Sequence, residues 1–192
     1  MLRSHNGALN TGVKMDIKKL EWLKGESEYF GDMKIQHAIA QHSFRDLQPA
    51  IGVDPGRNWG LAFVLPQDHP VLGHLGYSLS TYWGTMPKED KTQDYFHKIR
   101  DFVKLWIPPK CPAKIVMVEN AAFNAPYGRE HLEQIRLGFY EAFRELGFPV
   151  EYVNPQTPRK AVFGNGRLKG KEIFLSIDNN AADAAVIALF AA

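Results

Sequence analysis

Three acidic residues stand where an acid contributes nothing to a hydrophobic core. Asp54 ends the apolar run Ile51-Gly52-Val53, Glu119 ends Ile115–Val118, and Asp183 interrupts the alanine-rich stretch Ala181–Leu189. Taken singly, each has an ordinary explanation. Asp favours the start of an Asp-Pro-Gly turn, a glutamate at a strand end can reach solvent, and a first-turn carboxylate suits the helix dipole. Taken together they ask for more, because strand ends on one side of a sheet and a helix laid across it can bring three carboxylates to one place. Like charges so gathered repel and need cations, and an all-carboxylate set suits Mg²⁺ or Mn²⁺ rather than zinc. Two such ions about 3.5–4 Å apart would activate water and stabilise the leaving oxygen in phosphodiester cleavage.

A second signal is a basic strip. The segment Asn154–Glu172 carries Arg159, Lys160, Arg167, Lys169 and Lys171 against Glu172 alone, in a chain whose net charge is only +2. Local cations on a near-neutral body suit a surface that tracks phosphates. On charge alone, a solvated loop with helix-end cations is the better explanation. Other chemistries lack their residues. The stretch Gly164-x-Gly166-x-x-x-Gly170-Lys171-Glu172 has Asn165 and Glu172 where a phosphate-binding P-loop needs Gly and Ser or Thr. The seven histidines show no His-Glu-x-x-His spacing, and no Gly-x-Ser-x-Gly elbow is present.

The elements that must position these residues follow from periodicity and punctuation. An apolar run at Ala50–Val53, the turn Asp54-Pro55-Gly56 and a run Gly60–Leu65 stopped by Pro66 predict two strands with a tight reversal. A third strand alternates, with Leu75, Tyr77, Leu79 and Trp83 on one face and His74, Ser78, Ser80 and Tyr82 on the other, which predicts a half-buried strand. Lys91–Ile107 changes to helical spacing and ends at Pro108-Pro109. Ile115–Val118 predicts a strand buried on both faces, Glu130–Leu146 a helix, Val150–Val153 a fifth strand, and Ala181–Phe190 a terminal helix. In the Glu130–Leu146 helix, Leu137 and Tyr140 lie off the main stripe of Leu132, Ile135, Phe139, Phe143 and Leu146. They fit either a broad core face or a second apolar side open to a partner subunit. The predicted class is α/β: a mixed five-stranded sheet with helices on both faces and right-handed parallel crossovers at its end.

These blocks in order resemble a family. Ile51-Gly-Val-Asp54-Pro-Gly-x-x-x-Gly60-Leu-Ala, Val116-Met-Val-Glu119-Asn-Ala-Ala-Phe123, Pro158-Arg-Lys-Ala-Val-Phe-Gly164-Asn-Gly166 and Asn180-Ala-Ala-Asp183-Ala-Ala look like the RuvC-type Holliday-junction resolvases, of the ribonuclease H-like nuclease superfamily. The resemblance covers about residues 50–190. It implies a homodimer that binds a four-way DNA junction and nicks two opposed strands symmetrically with divalent metal, leaving 5′-phosphate and 3′-hydroxyl ends. It also implies Mg²⁺ as cofactor, with Mn²⁺ able to substitute, and two ions per site.

Residue by residue, Asp54, Glu119 and Asp183 match the family's metal ligands. The position three before the last Asp, Asp or His in the family, is Asn180 here. An amide adds no charge, which leaves a weakened second metal site or replacement by Asp178. Arg159 matches an upstream DNA-contacting basic residue, and Lys160 and Arg167 share its segment. The family's catalytic lysine falls between Lys169 and Lys171. Phe123 lies one position after the aromatic that family members insert at a junction centre; stacking on a base and anchoring a loop are both open to it. Alternatives of other kinds are a broader branched- or flap-DNA nuclease and a junction-binding module without catalysis.

Length and composition agree with a single globular domain and an appendage. The chain has 192 residues, 45% apolar and 23% charged, and residues 1–48 read as an N-terminal extension with a short helix predicted around Asp16–Leu23, before a nuclease domain at 49–192. The longest apolar run, Ala184–Ala192, is too short to span a bilayer, so no membrane partner is expected. A single cysteine, Cys111, and an N-terminus without an apolar signal stretch predict a reducing, cytoplasmic location.

Overall fold

The computed structural model describes residues 23–30, 47–68, 75–86, 92–107, 110–120, 129–167, 169 and 178–192. In chain order the elements are β1 (Leu23–Phe30), β2 (Ala50–Asp54), β3 (Asn58–Asp68), β4 (Leu75–Thr85), α1 (Thr92–Trp106), β5 (Ile115–Glu119), α2 (Arg129–Glu145), β6 (Val150–Val153), α3 (Gln156–Phe163) and α4 (Asn179–Ala191). The strands form one mixed sheet in the order β1-β4-β3-β2-β5-β6. β2, β3 and β4 run as an antiparallel meander, while β2, β5 and β6 are parallel. Parallel neighbours need long crossovers, and α1 and α2 stand in the connections that lead into β5 and β6.

Alternation along the strands sends side chains to two unlike layers. Ile51 and Val53 of β2 and Trp59, Leu61 and Phe63 of β3 meet Ile99, Phe102, Val103 and Trp106 of α1 and Ile135, Phe139 and Phe143 of α2. Burying each such side chain stabilises the fold by about 1.5–3 kcal/mol. The opposite face shows Ala62, Val64 and Leu79 to the alanines of α4 and to Val162 of α3. Helices therefore cover both faces, as the periodicities predict.

The structure departs from the sequence reading in four places. The sheet has six strands rather than five, because β1, from within the N-terminal segment, pairs antiparallel with β4. Leu23 opens that strand, and the rest of the helix predicted at Asp16–Leu23 lies outside the described residues. Pro66 does not stop β3, which continues to Asp68 opposite Leu75. Its partner on the other side, β2, begins only at Ala50 opposite Val64, so the proline sits beyond the doubly paired stretch, where a missing N–H is tolerated. β4 is covered on both faces rather than one: Ser78 and Thr81 are buried, and the Tyr82 ring meets Trp106 edge-on at 4.5 Å. Finally, the basic strip opens with a helix, α3, that its composition did not announce.

Candidate active site

The site begins at the carboxyl edge of the parallel strands, the edge at which open α/β sheets bind ligands. Val53 is level with Val118 in the β2–β5 ladder, so Asp54 and Glu119 leave the sheet side by side. The third carboxylate arrives on α4. Asp178 caps this helix by accepting the Asn180 N–H at 2.9 Å, an arrangement that satisfies one of the unpaired first-turn donors. Two glycines then let the helix lie directly on the strands. A Cβ on Gly52 would collide with the Ala184 carbonyl and the Ala188 nitrogen, and one on Gly60 with the backbone at Asn180 and Ala181. Since Gly60 pairs with Asp54 across the β2–β3 ladder, this close approach sets the start of α4 beside Asp54, and Asp183 follows just beyond its first turn.

Arg159 completes the cluster from α3. That helix starts where the Asn154 side chain accepts the Gln156 N–H, buries Pro158 and Val162, and ends at Gly164 with φ +71°, a left-handed conformation that favours glycine. The Arg159 guanidinium lies 3.3 Å from Asp183 Oδ1. Behind Glu119, Arg136 of α2 donates from Nη1 to Asn120 Oδ1 at 3.2 Å.

The electrostatics show how unfavourable the bare cluster is. Burial above all, and then the charges of Glu119 and Asp183, push the Asp54 carboxyl well above the usual carboxylate range; Arg159 pulls it back and Asp178 pushes it further up. Glu119 is pushed up to about 7, again chiefly by burial, with Asp183 adding to the shift and Arg159 and Arg136 opposing it. Each carboxylate thus makes its neighbour harder to ionise, which is the signature of a site that wants positive charge.

Of the residues singled out from sequence, the structure brings together Asp54, Glu119, Asp183 and Arg159. Asn180 is near, but its amide nitrogen donates to Asp178 Oδ1 at 3.0 Å, so the amide and the capping carboxylate hold each other. Lys160, Arg167 and Lys169 are exposed. Phe123 and Lys171 lie outside the described residues. Among the described residues no three His, Cys, Asp or Glu side chains form a ready-made metal cage. The donor set is nevertheless that of a hard cation: carboxylate oxygens whose mutual repulsion is only partly met, by Arg159 at Asp54 and by Arg159 and Arg136 at Glu119. Sequence reasoning missed Asn120 and Arg136. The available signal was a cation in the midst of the apolar stripe Ile135–Phe143.

No protein-family model matches the chain, and no curated protein is similar to it in sequence. Solved structures are similar in fold. The structure of Thermus thermophilus RuvC superposes with a TM-score of 0.58 at 20% identity, over 74% of this chain and 92% of that one. The fold is that of the RuvC-type resolvases. T. thermophilus RuvC in complex with a Holliday junction substrate gives 0.57 at 20% identity, over 74% and 91%. The yeast mitochondrial Holliday junction resolvase Ydc2 gives 0.40 at 10% identity, over 83% and 84%. Within this RuvC-type fold the three acids come from β2, β5 and α4, in the chain order of the blocks that resemble the family. No described helix is long and apolar enough to cross a membrane.

Proposed function

We propose that this protein is a metal-dependent, structure-selective DNA endonuclease that resolves four-way junctions by paired symmetric nicks, leaving 5′-phosphate and 3′-hydroxyl ends. The observation that carries the reading is the convergence of Asp54, Glu119 and Asp183 at the carboxyl edge of a RuvC-type sheet, with their charges coupled. Asp54, Glu119 and Asp183 would hold Mg²⁺, or Mn²⁺ in its place, at two positions, with Asn180 or Asp178 beside the second. Bound there, divalent metal supplies an activated water and neutralises charge on the scissile phosphate.

The chain's own residues do the rest. Arg159 offsets the charge of the carboxylates in the free protein and is a cation that a phosphate oxygen could draw away from Asp183. Lys160, Arg167 and Lys169, all exposed, and Lys171, which follows them in the sequence, track the backbone electrostatically. Lys169 or Lys171 supports developing charge at the phosphate. Phe123 stacks on an unpaired base near the junction centre. Two active sites in one particle require two copies of the chain, and we assign a homodimer, to which Leu137, exposed on α2, would contribute apolar surface.

The test is a strand-labelled four-way junction and a matched linear duplex incubated with the protein and Mg²⁺ or Mn²⁺, beside Asp54→Asn. Paired symmetric nicks on the junction alone, reduced about 10²–10³-fold in the variant, are the expected outcome. Tight binding with no nicks in either metal would instead identify a junction-binding module, the reading that the uncharged Asn180 favours. Cuts in flaps as well would identify a broader branched-DNA nuclease.

A further inference from the structure

Among the described residues, Arg136 is a buried cation on the aromatic side of the sheet, where packing alone does not call for a charge. It follows Ile135 on α2, is only 9% exposed, and has a buried Nε without a hydrogen-bond partner among the described residues. A guanidinium so placed carries a large desolvation cost, which a leucine or methionine in the same helix would avoid. What the arginine does reach is Asn120, whose Oδ1 accepts from Nη1 at 3.2 Å. Asn120 directly follows Glu119, and its own backbone N–H donates to the Val153 carbonyl at 2.8 Å. This residue is therefore held from two sides, by its main chain to β6 and by its side chain to α2. The same guanidinium charge favours the ionised form of Glu119.

We propose that Arg136 is a positioning residue of the nuclease site: acting through Asn120, it fixes the end of β5 so that the Glu119 carboxylate is presented toward Asp54 and Asp183. It touches neither substrate nor reacting atoms. The inference rests on the nuclease reading above for its consequence in cleavage, but the contact itself can be tested without it. Residues that orient a ligand from behind characteristically change activity by about 10–100-fold when removed.

Full-length Arg136→Gln, Arg136→Lys, Asn120→Ala and the Gln/Ala double variant are compared with the unaltered chain. Three quantities are measured: amide hydrogen exchange, junction affinity without metal, and single-turnover cleavage with Mg²⁺. Arg136→Gln and Asn120→Ala should each slow cleavage about 10–100-fold while junction affinity stays within about twofold, and Arg136→Lys should recover part of the loss. Because both side chains act through one contact, the double variant should be no slower than the slower single variant. Exchange at the Asn120 amide should quicken while the amides of Val116 to Val118 keep their protection.

Cleavage at the unaltered rate by folded Arg136→Gln, losses that multiply in the double variant, or affinity that falls in step with rate would each overturn the proposal. If Arg136→Gln does not fold, Asn120→Ala decides: unaltered cleavage and unaltered exchange overturn the positioning role. If the unaltered chain cuts no junction, the nuclease reading fails and Asn120 exchange alone judges this contact. Faster exchange in Arg136→Gln upholds it, and unchanged exchange overturns it.

Discussion

The two faces of the sheet are built from opposite materials. Toward α1 and α2 lie Trp59, Phe63, Tyr82, Phe102, Trp106, Phe139 and Phe143, with rings in contact such as Phe102 on Trp106 at 5.8 Å and Tyr82 on Trp106 at 4.5 Å. Toward α4 lie Gly52, Gly60 and Ala62, met by a helix rich in alanine, with Ala182, Ala184, Ala185 and Ala188 buried against the sheet. Bulky side chains hold helices about 10 Å from a sheet, whereas glycine against alanine brings backbone onto backbone. The thick face supplies most of the apolar burial and so most of the driving force for folding. The thin face supplies placement: it carries a helix close enough for Asp183 to act on Asp54. Stability and site geometry are thus largely separate properties of one sheet, and Arg136 joins them by reaching from the thick layer to Asn120, the residue after Glu119.

That division can be broken most forcefully from the thick side. Phe139→Ala, at a fully buried ring, should remove about 3–5 kcal/mol of unfolding free energy, read by denaturant titration. Cleavage per folded molecule should change little; a fall in cleavage as large as the fall in stability would merge the two faces into one property.

The next effect belongs to the carboxylates themselves. Asp54 and Glu119 both titrate above their ordinary values in the folded chain, so the folded state holds protons that the unfolded state has released. In the metal-free protein the stabilising contribution of these two acids is therefore fully present below their ordinary values, about pH 4.5 for Glu119, and is lost as pH rises through the folded value of Glu119, about 7. Glu119 alone accounts for up to about 3 kcal/mol of that loss, and Asp54 acts in the same direction. Thermal unfolding between pH 4.5 and 8 measures the slope, which Glu119→Gln should flatten. Mg²⁺ should stabilise the chain more at pH 8 than at pH 5.

The smallest change in stability should have the most selective consequence. Gly60→Ala places a methyl against the backbone at Asn180 and Ala181, at a cost of about 1–3 kcal/mol. The first turn of α4 must shift to admit it, so cleavage should fall far more than the stability loss accounts for. Cleavage retained in step with the folded fraction would show that the close approach serves packing alone.

Much of the scaffold was legible because period and punctuation are local. Ile115–Glu119 and Val150–Val153 emerge as strands where the apolar runs lie, and α1 and α2 match their predicted helices to within one residue at each end. The misreadings share a cause. Pro66 is a breaker only where a ladder position needs an N–H, and Tyr82 looks solvent-facing only until Trp106 of α1 meets it, while Ser78 is buried as well. β1 could not be read because its partner, β4, lies some fifty residues along the chain. In the site, the acids were visible as charges out of place in apolar runs. Asn120 and Arg136 were not, since a buried arginine within a helical stripe has the same sequence signature as one at the edge of the stripe.

The sequence by itself determined which residues could do chemistry: acids at the ends of apolar runs, cations clustered after Asn154, and small residues along α4. Residue type and spacing decide these, because charge, volume and periodicity are carried by the chain in any conformation. Only the tertiary structure decided that Arg159 faces Asp183, that Asn180 is tied to its own helix cap, and that Arg136 stands behind Glu119. Those partnerships depend on how closely layers pack. That distance is set by a glycine meeting an alanine or a phenylalanine meeting a tryptophan across residues far apart in the chain, and no local pattern records it.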